Sequence, residues 1–359
     1  MDSPGVYDAD RKTMKYSVMF FSSEVSIEDP YRFLLDVAQY ADENGFAGIW
    51  TPERHFEQFG GLFPNPALTS AAIAPLTRRI QLRAGSLISP LHDVIRIAEE
   101  WAVVDVISGG RAAVSFGSGW NANDFVLSPD IYGRRHEYML DQINQLELLW
   151  QGETITRTNG CGREMPVKTM PRPIQSTLPI WLTSSGNLET FKIAGRRGYN
   201  LLTHMIMQDR QALKRKIEAY REARAEAGHD PATGYVSLML HTYLGFSDDE
   251  VRELTRPYLR EYLRSAVMLE QSAAKGGGTI SGGQRNVPHE ISPDIMDELL
   301  DMTFDRYFDS AALMGTLKSA RRISQSMSDI GVDEIACLID FGLGSAEVLR
   351  SLKLVASLQ

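Results

Sequence analysis

A chain of 359 residues, 43% hydrophobic and 23% charged, carries apolar material for a sizeable core and lies outside the composition range of disordered chains. Its net charge of −9 and pI near 5.4 leave no excess of Lys and Arg for a polyphosphate or an anionic membrane surface, so neither nucleic acid nor membrane is an expected partner. Only Cys161 and Cys337 occur, without CxxC or Cys/His spacing, which argues against a disulfide framework or a metal site and for a cytoplasmic protein.

The first fourteen residues are polar and aperiodic and read as a tail, without a basic and then apolar leader; a single domain is expected over 15–359. Tyr16–Phe21 reads as a strand, followed by a helical pattern over 29–44 that stops at Gly45. The alternation continues in chain order, with strands at 47–51, 79–88 and 112–117 and helices at 66–76 and 93–107. In the second half, strands at 178–183, 199–204, 236–245 and 334–342 alternate with helices at 134–150, 188–197 and 208–227, one from Asp248, and a closing helix. Eight apolar strands in βα alternation suit a closed (β/α)8 TIM barrel better than an open sheet. Two stretches break the repeat. One is the Thr-, Gly- and Pro-rich 151–177; the other is 271–293, with AKGGGTISGGQ, which reads equally as a lid or as a disordered loop. Substrate specificity is expected to lie in these two insertions.

Three stretches in the first half carry a resemblance. IWTPERHFEQFGGLFPNP from Ile49, AGSLISPLHDVIRIAEEWAVVDVISGGR from Ala84 and AVSFGSGWNANDF from Ala113 follow one another at strand ends. Together they resemble the bacterial luciferase-like family of flavin-dependent monooxygenases, most closely a subgroup tied to natural-product assembly lines of the mupirocin type. The resemblance implies an oxidoreductase that uses reduced FMN and O2, forms a C4a-peroxyflavin, and oxidises or hydroxylates a small or carrier-bound substrate. It also implies a homodimer joined through the second and third helices. No G-x-G-x-x-G fingerprint is present, so a separate flavin reductase is the natural electron source.

In a barrel, catalytic groups gather at the C-terminal strand ends, which makes Glu53, Arg54 and His55 candidates. The bland alternative is an ion pair that closes the loop with a packed histidine. Arg54 stands where the luciferases carry a histidine and cannot act as a general base; it could steady an anionic flavin or a substrate oxyanion, leaving His55 for acid–base work. His92 is expected at the flavin edge or as a helix cap. By resemblance, Gly85 and Ser86 hold a non-proline cis peptide beneath the flavin, with Phe21 among the flavin contacts. Gly117, Ser118 and Gly119 permit close backbone approach to a ligand, with Trp120, Asn121 and Asp124 following, although Trp120 could be core. Ser184, Ser185, Gly186, Asn187 and Thr190 lie where a strand gives way to a helix, a setting that suits a phosphate; N-capping explains the same residues. Arg135, or Arg134 in its place, matches a family position that reaches that phosphate. Two other readings stay open: a deazaflavin- or flavin-dependent dehydrogenase of the same superfamily, and a non-catalytic flavin-binding subunit.

Overall fold

The computed structural model describes residues 13–21, 27–184, 186–206, 208–275 and 293–359. Its strands are β1 (Lys15–Met19), β2 (Gly48–Thr51), β3 (Gln81–Ile88), β4 (Ala112–Gly117), β5 (Ile155–Thr158), β6 (Glu164–Val167), β7 (Ile180–Thr183), β8 (Asn200–His204), β9 (Val236–Leu244), β10 (Leu313–Gly315) and β11 (Glu334–Leu338). The helices are α1 (Pro30–Glu43), α2 (Pro66–Ile73), α3 (Val94–Ser108), α4 (Arg135–Gln151), α5 (Leu188–Arg196), α6 (Arg210–Glu226), α7 (Asp248–Lys275), α8 (Pro293–Ser310), α9 (Leu317–Ser328) and α10 (Ser345–Ala356).

Eight parallel strands, β1, β2, β3, β4, β7, β8, β9 and β11, form a ring that closes where Leu201–His204 of β8 pair with Val236–Met239 of β9. These are the eight strands expected from the apolar runs. They lack polar alternation because a parallel sheet wrapped in helices is buried on both faces; every residue of β11, EIACL, is buried. Each helix turns one stripe inward, as α1 does with Phe33, Leu34, Val37, Ala38 and Ala41. Side-chain caps set the helix starts: the carboxylates of Asp29 and Asp93 and the amide oxygen of Asn65 accept from first-turn N–H groups. At the N-terminal end of the barrel, Arg83 pairs with Glu334 at 2.7 Å between the rings of Trp50 and Trp181. The interior is thus plugged there, and only the opposite end is left for a site.

The two insertions have different fates. The first folds into the antiparallel hairpin β5–β6 and lies between α4 and β7, at the N-terminal strand ends. It is fastened there by Trp150 Nε1 donating to the Gln175 carbonyl at 3.0 Å and by the Ile174 N–H donating to Asp105 at 2.6 Å. The expectation that this insertion shapes substrate specificity is therefore corrected: an αβ connection faces away from the mouth. In the second region, 276–292 lies outside the described residues, as do residues 1–12 of the expected tail. Around it, α8, β10 and α9 are elements beyond those expected from the sequence. Helices α7 and α8 run antiparallel along a ladder in which Arg252, Arg256, Arg260 and Arg264 meet Asp297, Asp301, Asp305 and Asp309. No helix among the described residues is long and apolar enough to cross a membrane.

Candidate active site

At the C-terminal ends of β3, β4 and β7, three hydroxyls meet. Thr183 Oγ1 lies 2.6 Å from Ser86 Oγ and 2.7 Å from Ser115 Oγ. The Gly85–Ser86 peptide bond is cis. A Cβ on Gly85 would stand 2.9 Å from Met19 and 3.0 Å from Trp50, so only glycine fits above that buried layer. Gly117 faces Ser86 across the strand pair, and a Cβ on Gly119, at φ 77°, would strike the Phe125 ring. The half-buried Ser118 continues this loop. Arg135 Nε donates to the Gly119 carbonyl at 2.8 Å and Nη1 to Tyr132 at 2.9 Å, so these contacts hold the β4 loop; Arg134 is exposed over Tyr138.

Beyond Thr183 the chain turns into α5. The Ser184 N–H donates to Leu202 at 3.0 Å, Asn187 caps the helix by accepting from Glu189, and the Thr190 N–H donates to the Asn187 carbonyl. Ser185 lies outside the described residues. Sequence reading did not find Lys216, whose Nζ stands 3.2 Å from where a Gly186 Cβ would be and donates to Gln208 at 2.8 Å. Burial pulls its pKa down, as does neighbouring Arg215. A lysine on a helix that starts 24 residues downstream leaves no local signal in the sequence, since α6 begins at Arg210.

The centre of charge is Glu53, just past β2. Its Oε1 lies 2.9 Å from His55 Nε2 and 2.5 Å from His92 Nε2, and Oε2 accepts from the Ile88 N–H at 2.6 Å. Burial alone would raise the Glu53 pKa, but the hydrogen bonds from His55, His92 and Ile88 outweigh it and hold the carboxylate ionised. For His92 burial favours the neutral ring, yet the bond to and charge of Glu53 win and raise its pKa. An ionised carboxylate only accepts, so both histidines present Nε2–H to it. Each keeps Nδ1 for proton exchange. The Gln142 amide fixes the backbone at His92 by donating to its carbonyl at 2.7 Å, while Asp93, not His92, caps α3.

Across the mouth the walls are aromatic. Phe21, whose N–H donates to Asp340, packs against Phe59 and Tyr262, and Tyr262 sits edge-on to His241 at 4.4 Å. His241, pushed down to about 3 by burial, lies 3.3 Å through Nδ1 from the Tyr307 hydroxyl. Arg54 is 6% exposed, with its guanidinium over both the Phe21 and Trp120 rings at 5.6 and 5.5 Å. Trp120 is half-buried, packed against the edge of the core beside Arg54. Asp124, bonded by the Asn121 amide, is pushed up to about 6 by burial, against the opposing pull of Arg54.

All but one of the expected site residues thus lie around one mouth, and the family can be read from the whole chain. A protein-family model described as luciferase-like monooxygenase matches residues 14–334. The oxygenase component of the flavin-dependent trigonelline monooxygenase of Acinetobacter baylyi is 27% identical over 251 residues, 67% of each chain. The alkanal monooxygenase alpha chain of the Kryptophanaron alfredi symbiont is 23% identical over 332 residues, 90% of each. Among solved structures, the oxygenating constituent of 3,6-diketocamphane monooxygenase from Pseudomonas putida superposes with a TM-score of 0.74 at 19% identity, covering 96% of this chain and 97% of that one. With a match that runs from β1 to the start of β11, the chain belongs to the luciferase-like monooxygenase family.

Proposed function

We propose that this chain is the oxygenase of a two-component system, taking reduced FMN from a separate flavin reductase and using O2 to oxidise or hydroxylate a small or carrier-bound natural-product intermediate of the assembly-line type. The observation that carries it is the pairing, on one barrel mouth, of a hydroxyl-lined glycine bed with an ionised carboxylate held between two histidines. The bed fits FMN. Gly85, Ser86, Gly117, Ser118, Gly119 and Phe21 would border the ring, and Ser184, Ser185, Gly186, Asn187, Thr190 and Lys216 at the α5 N-terminus would hold the phosphate, with Arg135 bracing the loop between them. Bound reduced FMN supplies the two electrons that allow one oxygen atom of O2 to enter the substrate and the other to leave as water.

The protein's own work is to place and move protons and to exclude water. Glu53 keeps the His55 and His92 rings oriented, and one of their Nδ1 atoms accepts or returns a proton at the reacting centre. The aromatic wall of Phe21, Phe59, Trp120 and Tyr262 keeps water from that centre. Residues 15–359 act as one barrel domain in the cytoplasm. They pair as a homodimer through α2 and α3, where Leu68, Val103, Val106 and Ile107 are exposed.

Anaerobic titration with reduced FMN, followed by rapid mixing with oxygenated buffer and absorbance recording, tests this reading. Stoichiometric binding and flavin oxidation much slower than that of free reduced FMN are expected. Absence of binding overturns it; tight binding with oxidation indifferent to O2 and hydride exchange with an alcohol would favour the dehydrogenase reading instead.

A further inference from the structure

Arg54 is a buried cation, two of whose three guanidinium nitrogens have no acceptor among the described residues. Among the described residues its Nε and Nη2 make no hydrogen bond and no carboxylate lies within ion-pair distance, while its Cζ stands 5.6 Å and 5.5 Å from the ring centroids of Phe21 and Trp120. A desolvated charge left in this state is costly, so the site is built for something that arrives later. Asp124, the described carboxylate that acts most strongly on the Arg54 charge, accepts from the Asn121 amide through one of its oxygens.

A second, independent feature adjoins it. An open cleft of about 610 Å3 is lined by Phe56, Ala122, Asn123, Phe125, Val126 and Tyr132, among others. Asn123 and Phe125 flank Asp124, and Phe56 is the second residue after Arg54, so the cleft is lined by chain neighbours of both buried charges. Phe56 and Val126 are exposed there, and Phe56 takes the left-handed backbone conformation at φ 64°. A hydrocarbon surface beside one unpaired guanidinium matches an amphipathic anion.

We infer that the substrate of this site is an apolar organic acid whose carboxylate or equivalent oxyanion is taken by Arg54 while its hydrocarbon part lies in the Phe56–Val126 cleft. The inference rests on the oxygenase reading and names its substrate class. Arg54 is then a specificity residue, not a cofactor ligand. Asp124 opposes the incoming charge and takes up a proton as the anion binds.

Anaerobic calorimetric titration of the full chain, saturated with reduced FMN, with benzoate and 2-naphthoate and with the corresponding neutral amides tests it. Each acid should bind about tenfold or more tighter than its amide, the range expected for a hydrogen-bonded charge. Arg54→Gln should abolish that preference and leave FMN affinity unchanged, with Arg54→Lys retaining part of it. Asp124→Asn should strengthen acid binding in a chain whose Arg54 is intact, so the proposal stays testable if the arginine variants do not fold. Equal affinity of acids and amides for the parent chain overturns the inference. So does loss of FMN binding in Arg54→Gln, which would assign the charge to the cofactor. Failure of the parent chain to bind FMN at all, by contrast, would sink the oxygenase reading itself.

Discussion

The two halves of the barrel mouth are built on opposite principles. The half formed by β3, β4 and β7 is polar and internally bonded: Ser86 and Ser115 both bond to Thr183, and Asn187 caps its helix. The half formed by the β1 and β2 loops with α7 and α8 is aromatic and left incomplete, with Arg54 Nε and Nη2 and His241 Nε2 lacking partners among the described residues. An internally bonded polar bed is preorganised to receive the same ligand at every turnover, whereas an unsatisfied apolar pocket stores its recognition for whichever ligand completes it. Glu53 stands on the seam, bonded to His55 on one side and His92 on the other.

If that division is real, variants in one half should spare the other. The largest effect is expected at the seam. Glu53→Gln should lower kcat by about 100-fold or more, the range for losing acid–base support, and destabilise the fold by about 3 kcal/mol, as for a broken buried pair. Its pH signature follows from opposite shifts. The lowered Glu53 pKa stabilises above the ordinary carboxylate value of 4.5 and is lost as pH falls through its folded value. The raised His92 pKa stabilises below the ordinary value of 6.5 and is lost as pH rises through its folded value. Chemical denaturation across pH should therefore show the stability gap between parent and variant widest between pH 4.5 and 6.5. A gap that widens toward alkaline pH would contradict the pairing.

Next in size is Lys216→Met, expected to weaken FMN about tenfold through loss of one charged hydrogen-bond donor, with acid binding to the FMN-saturated chain unaltered. Fluorescence titration of FMN measures the first and calorimetry the second; a parallel loss of both would break the comparison. Thr183→Val keeps the shape but removes the hydroxyl shared by Ser86 and Ser115, for about a fivefold weaker FMN affinity, or ~1 kcal/mol. The smallest change belongs to the scaffold of the aromatic half. Asp301→Asn removes the carboxylate that faces Arg256 and Arg260, both pairs half-exposed, and should cost under about 1 kcal/mol in thermal unfolding, because such surface pairs are weak. A larger loss would mean that ion pairs, rather than the packing of Tyr262, Phe304 and Tyr307, hold α7 against α8.

How far the sequence could be read differs between these halves for a physical reason. Glu53, Arg54, His55, Gly85, Ser86 and the 183–190 turn each sit at a strand end, where an apolar run stops and chemistry-bearing residues begin, so a linear reading finds them. Tyr262, His241 and Tyr307 are apolar or buried residues inside regular elements, where nothing distinguishes a pocket wall from core. The α7–α8 hairpin did leave a trace: arginines at 252, 256, 260 and 264 and aspartates at 297, 301, 305 and 309, each one helical turn apart.

By itself the sequence determined the eight strands and most of the intervening helices, because backbone hydrogen bonding and burial impose periodicities that a chain cannot hide. It determined, too, which residues stand at the strand ends. Only the tertiary structure decided that 151–177 hangs from the far end of the barrel, that Lys216 crosses to Gly186, and that Arg54 is buried beside two rings with two nitrogens unbonded among the described residues. Those outcomes depend on distances between residues far apart in the chain. Local propensity carries no information about such distances, and the closure of the ring supplies all of it.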